Sequence, residues 1–169
     1  MTLDPGLQPF QVVAAAIRSE IDATAFYKKL GERVKNALLT RKLAFLAFEE
    51  NQHRKILERL FAQRYAGMSL EVPECSPMPP IGAALGEAPS VLDLFQAALV
   101  AEEVSERVYG EAGERAEDEG SRHILAYLGR VERSHAAMVR SEIDLLSRFP
   151  DYYDVEDFHV GQDLLHVGP

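Results

Sequence analysis

Tryptophan is absent, cysteine occurs once, and no unbroken apolar run exceeds six residues; each shortage removes a class of protein. A lone Cys75 allows neither an internal disulfide nor the Cys-x-x-Cys knuckle of a rubredoxin or zinc ribbon. Stability must therefore come from a packed core, and a reducing compartment suits the chain. The longest apolar runs, Val12 to Ile17 and Leu43 to Phe48, fall far short of the roughly 20 residues that span a bilayer, so no membrane association is expected. The start, Met1-Thr2-Leu3-Asp4-Pro5, has no basic leader region, and the expected location is cytoplasmic. Positive charge is also short: 18 Lys and Arg stand against 27 Asp and Glu, a formal net charge of −9. That field repels phosphate backbones, so no nucleic-acid partner is expected.

What is present is a duplication. Glu50-Asn51-Gln52-His53 and Glu132-Arg133-Ser134-His135 are both Glu-x-x-His, and they lie 82 residues apart. The same offset superposes Glu20 on Glu102, Tyr27 on Tyr109, Gly31-Glu32-Arg33 on Gly113-Glu114-Arg115, Leu43-Ala44 on Leu125-Ala126 and Leu46 on Leu128. Between 16–60 and 98–142 there are 11 identities in 45 positions with no gap, against roughly 3 from background composition. At 169 residues the whole chain, 1–169, reads as a single domain that buries about two-thirds of its unfolded surface.

Periodicity places four helices. Apolar residues recur at Val13, Ile17, Ile21, Thr24/Ala25 and Tyr27/Lys28 over a proline-free stretch from about Phe10 to Lys35, the first helix. A turn follows between Lys35 and Thr40, where Asn36 or Thr40 is able to cap. The second helix carries Leu43, Leu46, Ala47, Glu50, His53, Leu57 and Leu60. Between Ala66 and Pro89, five prolines and three glycines rule out regular structure and mark a crossover. Ser90 with Asp93 reads as a carboxylate form of the capping box, opening a third helix with Leu92, Phe95, Leu99, Glu102 and Tyr109. Gly120-Ser121 reads as a stop and a new cap, and Leu125, Leu128, Glu132, His135, Met138/Val139 and Leu145/Leu146 carry a fourth helix to Pro150. The units are repeat 1 over about 10–65, crossover 66–89, repeat 2 over about 90–149 and an acidic, aromatic tail over 150–169. Short turns make each pair of helices antiparallel, and the crossover is long enough to let the second and third run parallel. The fold expected is an all-α four-helix bundle of two helical hairpins related by a pseudo-twofold axis, with one long crossover.

Each repeat supplies one Glu on its first helix and a Glu-x-x-His on its second, and residues three apart share a helix face. Equal distances from the turns bring Glu20, Glu50 and His53 to the level of Glu102, Glu132 and His135. Four carboxylates buried without a counter-charge would be very costly. Two divalent ions balance them, and mixed carboxylate and imidazole ligands suit iron, manganese or zinc.

On these residues, from about 10 to 148, the chain resembles the rubrerythrin and bacterioferritin branch of the ferritin-like superfamily. The resemblance implies two metal ions per chain, iron first, with Glu50 and Glu132 bridging, Glu20 and Glu102 terminal, and His53 and His135 each completing one ion. Tyr27 and Tyr109, seven residues after the first Glu of each repeat, would orient carboxylates across the bundle. It further implies a di-iron oxidoreductase acting on H2O2 or O2, served by a separate electron donor and assembled as a homodimer or higher homo-oligomer. Three departures matter, the first being that rubrerythrins proper carry a rubredoxin-like iron domain with four cysteines and this chain has one Cys. The additional Glu that rubrerythrins carry three residues after the third-helix ligand is Ser105 here, with Glu106 as the weaker substitute. The haem-binding Met of bacterioferritins, directly after the bridging Glu of the second helix, is Asn51, so no haem is expected. The alternatives are an iron-binding or storage protein, and a bundle in which metal is structural and nothing turns over. Glu49, Glu103, Glu111, Glu114 and Glu117 to Glu119 read as solvated helix surface, His123, His159 and His166 carry no role, and Cys75 is incidental. The tail from Asp151 to Phe158 is expected to pack on the bundle or on a second subunit.

Overall fold

The computed structural model describes residues 7–75 and 89–153, and within them the chain is helical, with no strand. Four helices run in order: α1 (Pro9–Arg33), α2 (Ala37–Arg64), α3 (Val91–Arg115) and α4 (Glu119–Arg148), followed by the 3-10 turn η1 (Pro150–Tyr153), which packs on α4. None is long and apolar enough to cross a membrane.

The helix starts are set by side chains that satisfy the orphan amides of a first turn. Asn36 accepts from the amides of Leu38 and Leu39, and the hydroxyl of Thr40 donates to the Asn36 carbonyl. Ser90 and Asp93 form the reciprocal capping box read from the sequence. The α4 start is a correction: Asp118, not Gly120-Ser121, is the cap, accepting from the Ser121 amide and hydroxyl, and Gly120 lies inside the first turn. A capping box of Gln8 and Gln11 opens α1, with Pro9 in its first turn, where a missing amide proton loses nothing. These caps come in pairs with the repeat spacing: Gln8 with Ser90 and Asn36 with Asp118 are each 82 apart. The α1 end lies at Arg33 rather than Lys35, so α2 starts at Ala37 and takes Thr40 into its first turn.

Three-residue links join α1 to α2 and α3 to α4, which makes each pair an antiparallel hairpin. Cross-bundle bonds fix the rest. Tyr27 meets Glu102 while Tyr109 meets Glu20, so α1 and α3 are antiparallel. Lys42 meets Glu142 while Arg64 meets Asp118, so α2 and α4 are antiparallel as well. It follows that α2 and α3 run parallel. Most of the crossover between them, and the tail beyond Tyr153, lie outside the described residues.

The core is two apolar clusters separated by a polar layer. One, at the α1–α2 turn, gathers Leu30, Leu39, Leu43, Leu46, Phe95, Val139 and Leu146. The other, at the α3–α4 turn, gathers Val13, Ile17, Leu57, Leu60, Phe61, Leu125 and Leu128. Leu57 and Leu128 are 0 % exposed, and truncating a leucine in such a place costs about 3 kcal/mol. These clusters hold the polar layer at fixed depth and away from water.

Candidate metal centre

Glu20, Glu50, His53, Glu102, Glu132 and His135 are each 3 % exposed or less, and they form the layer between the clusters. Their helices place them there by period: Glu50 and His53, like Glu132 and His135, lie one turn apart on an inward face. Ligand atoms of Glu50, His53, Glu132 and His135 all fall within 4.8 Å of one another. His53 Nδ1 is 2.9 Å from Glu132 Oε1, 3.1 Å from Glu50 Oε2 and 3.8 Å from Glu20 Oε2. His135 Nδ1 is 3.1 Å from Glu50 Oε1, 3.5 Å from Glu132 Oε2 and 3.6 Å from Glu102 Oε2. Each imidazole thus faces its own first-helix Glu and both second-helix Glu residues, and the two rings lie nearly parallel with centroids 5.4 Å apart.

Proximity here is not pairing. Glu50 Oε1, His53 Nδ1, Glu132 Oε1 and His135 Nδ1 have no hydrogen-bond partner, although all are buried. Buried polar atoms of native proteins are nearly always satisfied, and a set of lone pairs aimed at common points is what a cation satisfies. Two divalent ions would balance the four carboxylates with both imidazoles neutral, and the donor set suits iron, manganese or zinc. The residues present therefore fit a di-metal group.

Electrostatics describe the same strain with protons as the only cations. Burial pushes the Glu20 carboxyl well above the ordinary carboxylate range, and the charges of Glu132 and Glu50 add to it against the pull of His53. Burial, then the Glu50 charge, does the same to Glu102. For His53 and His135 burial acts to lower the pKa, but the surrounding carboxylates outweigh it and raise both, His135 to about 12. Burial likewise opposes ionisation of Glu50, yet His135 and His53 hold it down to about 2. Protons crowd onto the groups that a metal would otherwise occupy.

Two tyrosines reach across the pseudo-twofold axis. Tyr27 of α1 donates to Glu102 of α3, and Tyr109 of α3 donates to Glu20 of α1. Both hydroxyls are buried and stay protonated, burial being the main cause. Glu106 does not join the layer: its carboxylate accepts from Arg133 Nε at 2.7 Å, toward solvent. His123 sits against the Glu119 carbonyl on the surface, and Cys75 is exposed. The periodicity reading missed the inter-helix pair of Lys42 and Glu142, residues 100 apart in sequence with no local signal.

Comparisons with known proteins bear first on the class. Similar solved structures include a bacterioferritin from Rhodobacter capsulatus, crystallised with a metal-free dinuclear site and haem iron (TM-score 0.69, 22 % identity, 100 % of this chain and 98 % of that one). A manganese catalase from Anabaena is also similar (TM-score 0.66, 21 % identity, 87 % and 77 % covered). A hypothetical protein from Pyrococcus furiosus reaches a TM-score of 0.78 with 28 % identity over 88 % of this chain and 98 % of that one. The fold is thus that of the ferritin-like helical bundles. Residues 11–143 match the rubrerythrin family profile, and the chain belongs to that family. No curated protein matches it at a significant level.

Proposed function

We propose that the protein is a di-iron oxidoreductase of rubrerythrin type that reduces H2O2 or O2. The observation that carries this reading is the pair of buried Nδ1 atoms, each facing three carboxylates and bonded to none. Glu50 and Glu132, reaching both imidazoles, would bridge; Glu20 with His53 and Glu102 with His135 would complete one ion each. When bound, two ferrous ions would supply the two electrons of the reduction. The chain itself holds the terminal carboxylates in register through Tyr27 and Tyr109, and its apolar clusters keep bulk water from the layer. Protons on Glu20, Glu102 and the imidazoles must leave when metal arrives, so loading releases acid. Reoxidised protein would draw electrons from a separate donor in a reducing cytoplasm.

Glu106 engaged by Arg133, with Ser105 where rubrerythrins carry a further Glu, favours one second reading, an iron-oxidising and storing protein. Anaerobic Fe(II) titration followed by stopped-flow mixing with H2O2 or O2 separates them. Two ions per chain and ferric absorbance rising faster with peroxide support an oxidoreductase whose substrate is H2O2, whereas a faster rise with O2 supports iron oxidation, with the stored iron or reduced O2 as its outcome. Uptake without oxidation would sink both readings and leave the metal structural.

A homodimer is proposed through the outer face of α2. Leu38, Phe45 and Phe48 are 43 %, 48 % and 56 % exposed there. Arg41 and Glu49, one turn either side of Phe45, have no ion-pair partner among the described residues. An antiparallel α2–α2 contact about a twofold axis at Phe45 sets each Arg41 against the other copy's Glu49. Phe45→Glu should convert the dimer to a monomer in analytical ultracentrifugation; an unchanged sedimentation coefficient would exclude this face.

A further inference from the structure

Five buried side-chain polar atoms lack a partner among the described residues, and four of them belong to the metal-ligand layer. The fifth is Thr24 Oγ1. Helical hydroxyls have a ready remedy in the carbonyl one turn back, which Thr40, Ser134 and Ser141 all use. Thr24 makes no such bond to the Glu20 carbonyl. Its position explains why that matters. Val13, Ile17, Glu20, Thr24 and Tyr27 repeat at steps of four and three along α1, the spacing of its inward stripe. Thr24 therefore stands one turn from Glu20, between that carboxylate and the tyrosine that crosses to Glu102.

The pseudo-twofold mate of Thr24 is Glu106, and the two seams beside the layer differ accordingly. At the α3–α4 seam, Glu106 and Arg133 close on each other in an ion pair. At the α1–α2 seam the equivalent residues are Thr24 and Asn51. Asn51 is engaged by Arg54 through Nε and Nη2, which leaves the Thr24 hydroxyl uncommitted. Ionised carboxylates only accept hydrogen bonds, and both tyrosine hydroxyls already donate to carboxylates. Among the described residues the buried, unpartnered side-chain atoms are four atoms of the ligand residues and the Thr24 hydroxyl. With metal on the ligands, that hydroxyl is the one of the five left to donate, one turn from Glu20.

We propose that Thr24 Oγ1 is a ligand-binding group, donating a hydrogen bond to a peroxide-sized ligand on the Glu20, Glu50 and His53 side of the centre. The proposal rests on the di-metal reading, and it makes the two halves of a pseudo-symmetric site inequivalent toward such a ligand. Azide, a small anion rich in lone pairs, is the probe: it is titrated into protein loaded with two ferric ions per chain, and its binding is followed by visible absorbance. Thr24→Val keeps the shape and removes the donor, and azide should bind about fivefold more weakly, the worth of one net hydrogen bond. Thr24→Ser should bind within about twofold of the parent, with iron stoichiometry unchanged in all three proteins. Unchanged azide affinity in Thr24→Val would overturn the proposal, and a higher melting temperature beside it would make the hydroxyl a packing defect. Loss of iron in Thr24→Val would overturn it too, showing that Thr24 supports the ligands. A parent that binds iron but not azide overturns this proposal and leaves the di-metal reading standing, whereas a parent that binds no iron overturns both.

Discussion

Lys42 and Leu60 of the first hairpin correspond, at the repeat spacing, to Ile124 and Glu142 of the second. At the α1–α2 turn end the pair that meets is Lys42 with a nearly buried Glu142; at the other end Leu60 and Ile124 pack in one apolar cluster. The outer faces diverge as well, with Leu38, Phe45 and Phe48 in α2 set against Gly120, Tyr127 and Arg130 in α4. Between these differences lies a layer that is the same in both hairpins, Glu for Glu, His for His and tyrosine for tyrosine. Twofold likeness is kept where four carboxylates and two imidazoles are buried at one depth. It is lost where each hairpin meets its own surroundings.

The most severe way to break the likeness is to remove the carboxylates shared by both halves. Glu50→Ala with Glu132→Ala should abolish binding of both ions, measured by metal analysis after gel filtration, while circular dichroism shows helical content largely kept. Two ions per chain in the double variant would refute the site.

The same layer sets the pH behaviour of metal-free protein. The charged imidazoles have pKa values raised above 6.5, so their stabilisation is complete below that pH and is lost as pH rises, toward about 12 for His135. Glu20 and Glu102, raised above 4.5, act in the same direction, because the folded state keeps protons that the unfolded chain releases. Glu50 acts oppositely: held at about 2, its contribution is present above 4.5 and fades as pH falls below that. Metal-free protein should melt highest near pH 4.5, lose stability between 4.5 and 6.5 as the contribution of Glu20 and Glu102 fades, and lose it more steeply above 6.5. Metal-loaded protein should gain stability with pH over that range, as protons cease to compete. Parallel melting curves, with and without metal, would contradict the assignment.

Much of this arrangement could be read from residues alone, and the exceptions have physical reasons. The offset of 82 picked out all six residues of the polar layer because each repeat carries the same Glu and the same Glu-x-x-His at matching positions. The Ser90–Asp93 cap was legible because both residues are strong cappers next to an apolar stripe. The Asp118 cap was obscured by Gly120, which reads as a stop but lies in the first turn of α4; pairing Asp118 with Asn36 at the same offset carried the missing signal. Gln8 and Gln11 are weak cappers, visible only as the mates of Ser90 and Asp93. The Lys42–Glu142 pair had no such clue, since the residues equivalent to it are apolar.

Copying one end of the bundle onto the other tests that pair. Lys42→Ala should destabilise by about 2 kcal/mol in urea, because Glu142 loses a partner while nearly buried; the partial exposure of Lys42 keeps the effect below that of a fully buried pair. Lys42→Ile with Glu142→Leu, which reproduces the Leu60–Ile124 packing, should lie within about 1 kcal/mol of the parent or above it. A double variant as unstable as the single one would mean that the ends are not interchangeable.

Tyrosine substitutions sharpen the likeness instead of breaking it. Tyr27→Phe and Tyr109→Phe each free one terminal carboxylate, and each should weaken metal affinity about tenfold. The comparison lies in their equality, read by competition with a chelator. A tenfold loss for one and none for the other would show that the two ions are held by different means despite matching residues.

The smallest effect is expected at Gly129, whose mate in the first hairpin is Ala47. A Cβ at 129 would lie 3.4 Å from the Glu106 carbonyl oxygen and 3.6 Å from Tyr109 Cβ, at the near edge of ordinary contact. Helix propensity favours alanine over glycine by up to about 1 kcal/mol, and the crowded carbonyl takes back part of that, so Gly129→Ala should stabilise by about 0.5 kcal/mol. Ala47 already occupies the equivalent place with 4 % exposure, so the backbone spacing of a helical hairpin here accepts a methyl group. If Gly129→Ala instead lowers the melting temperature, α3 and α4 approach more closely than α1 and α2 do. The tightness would then fall on Tyr109, and the variant's metal affinity, measured beside its stability, would drop as Tyr109 moves off Glu20.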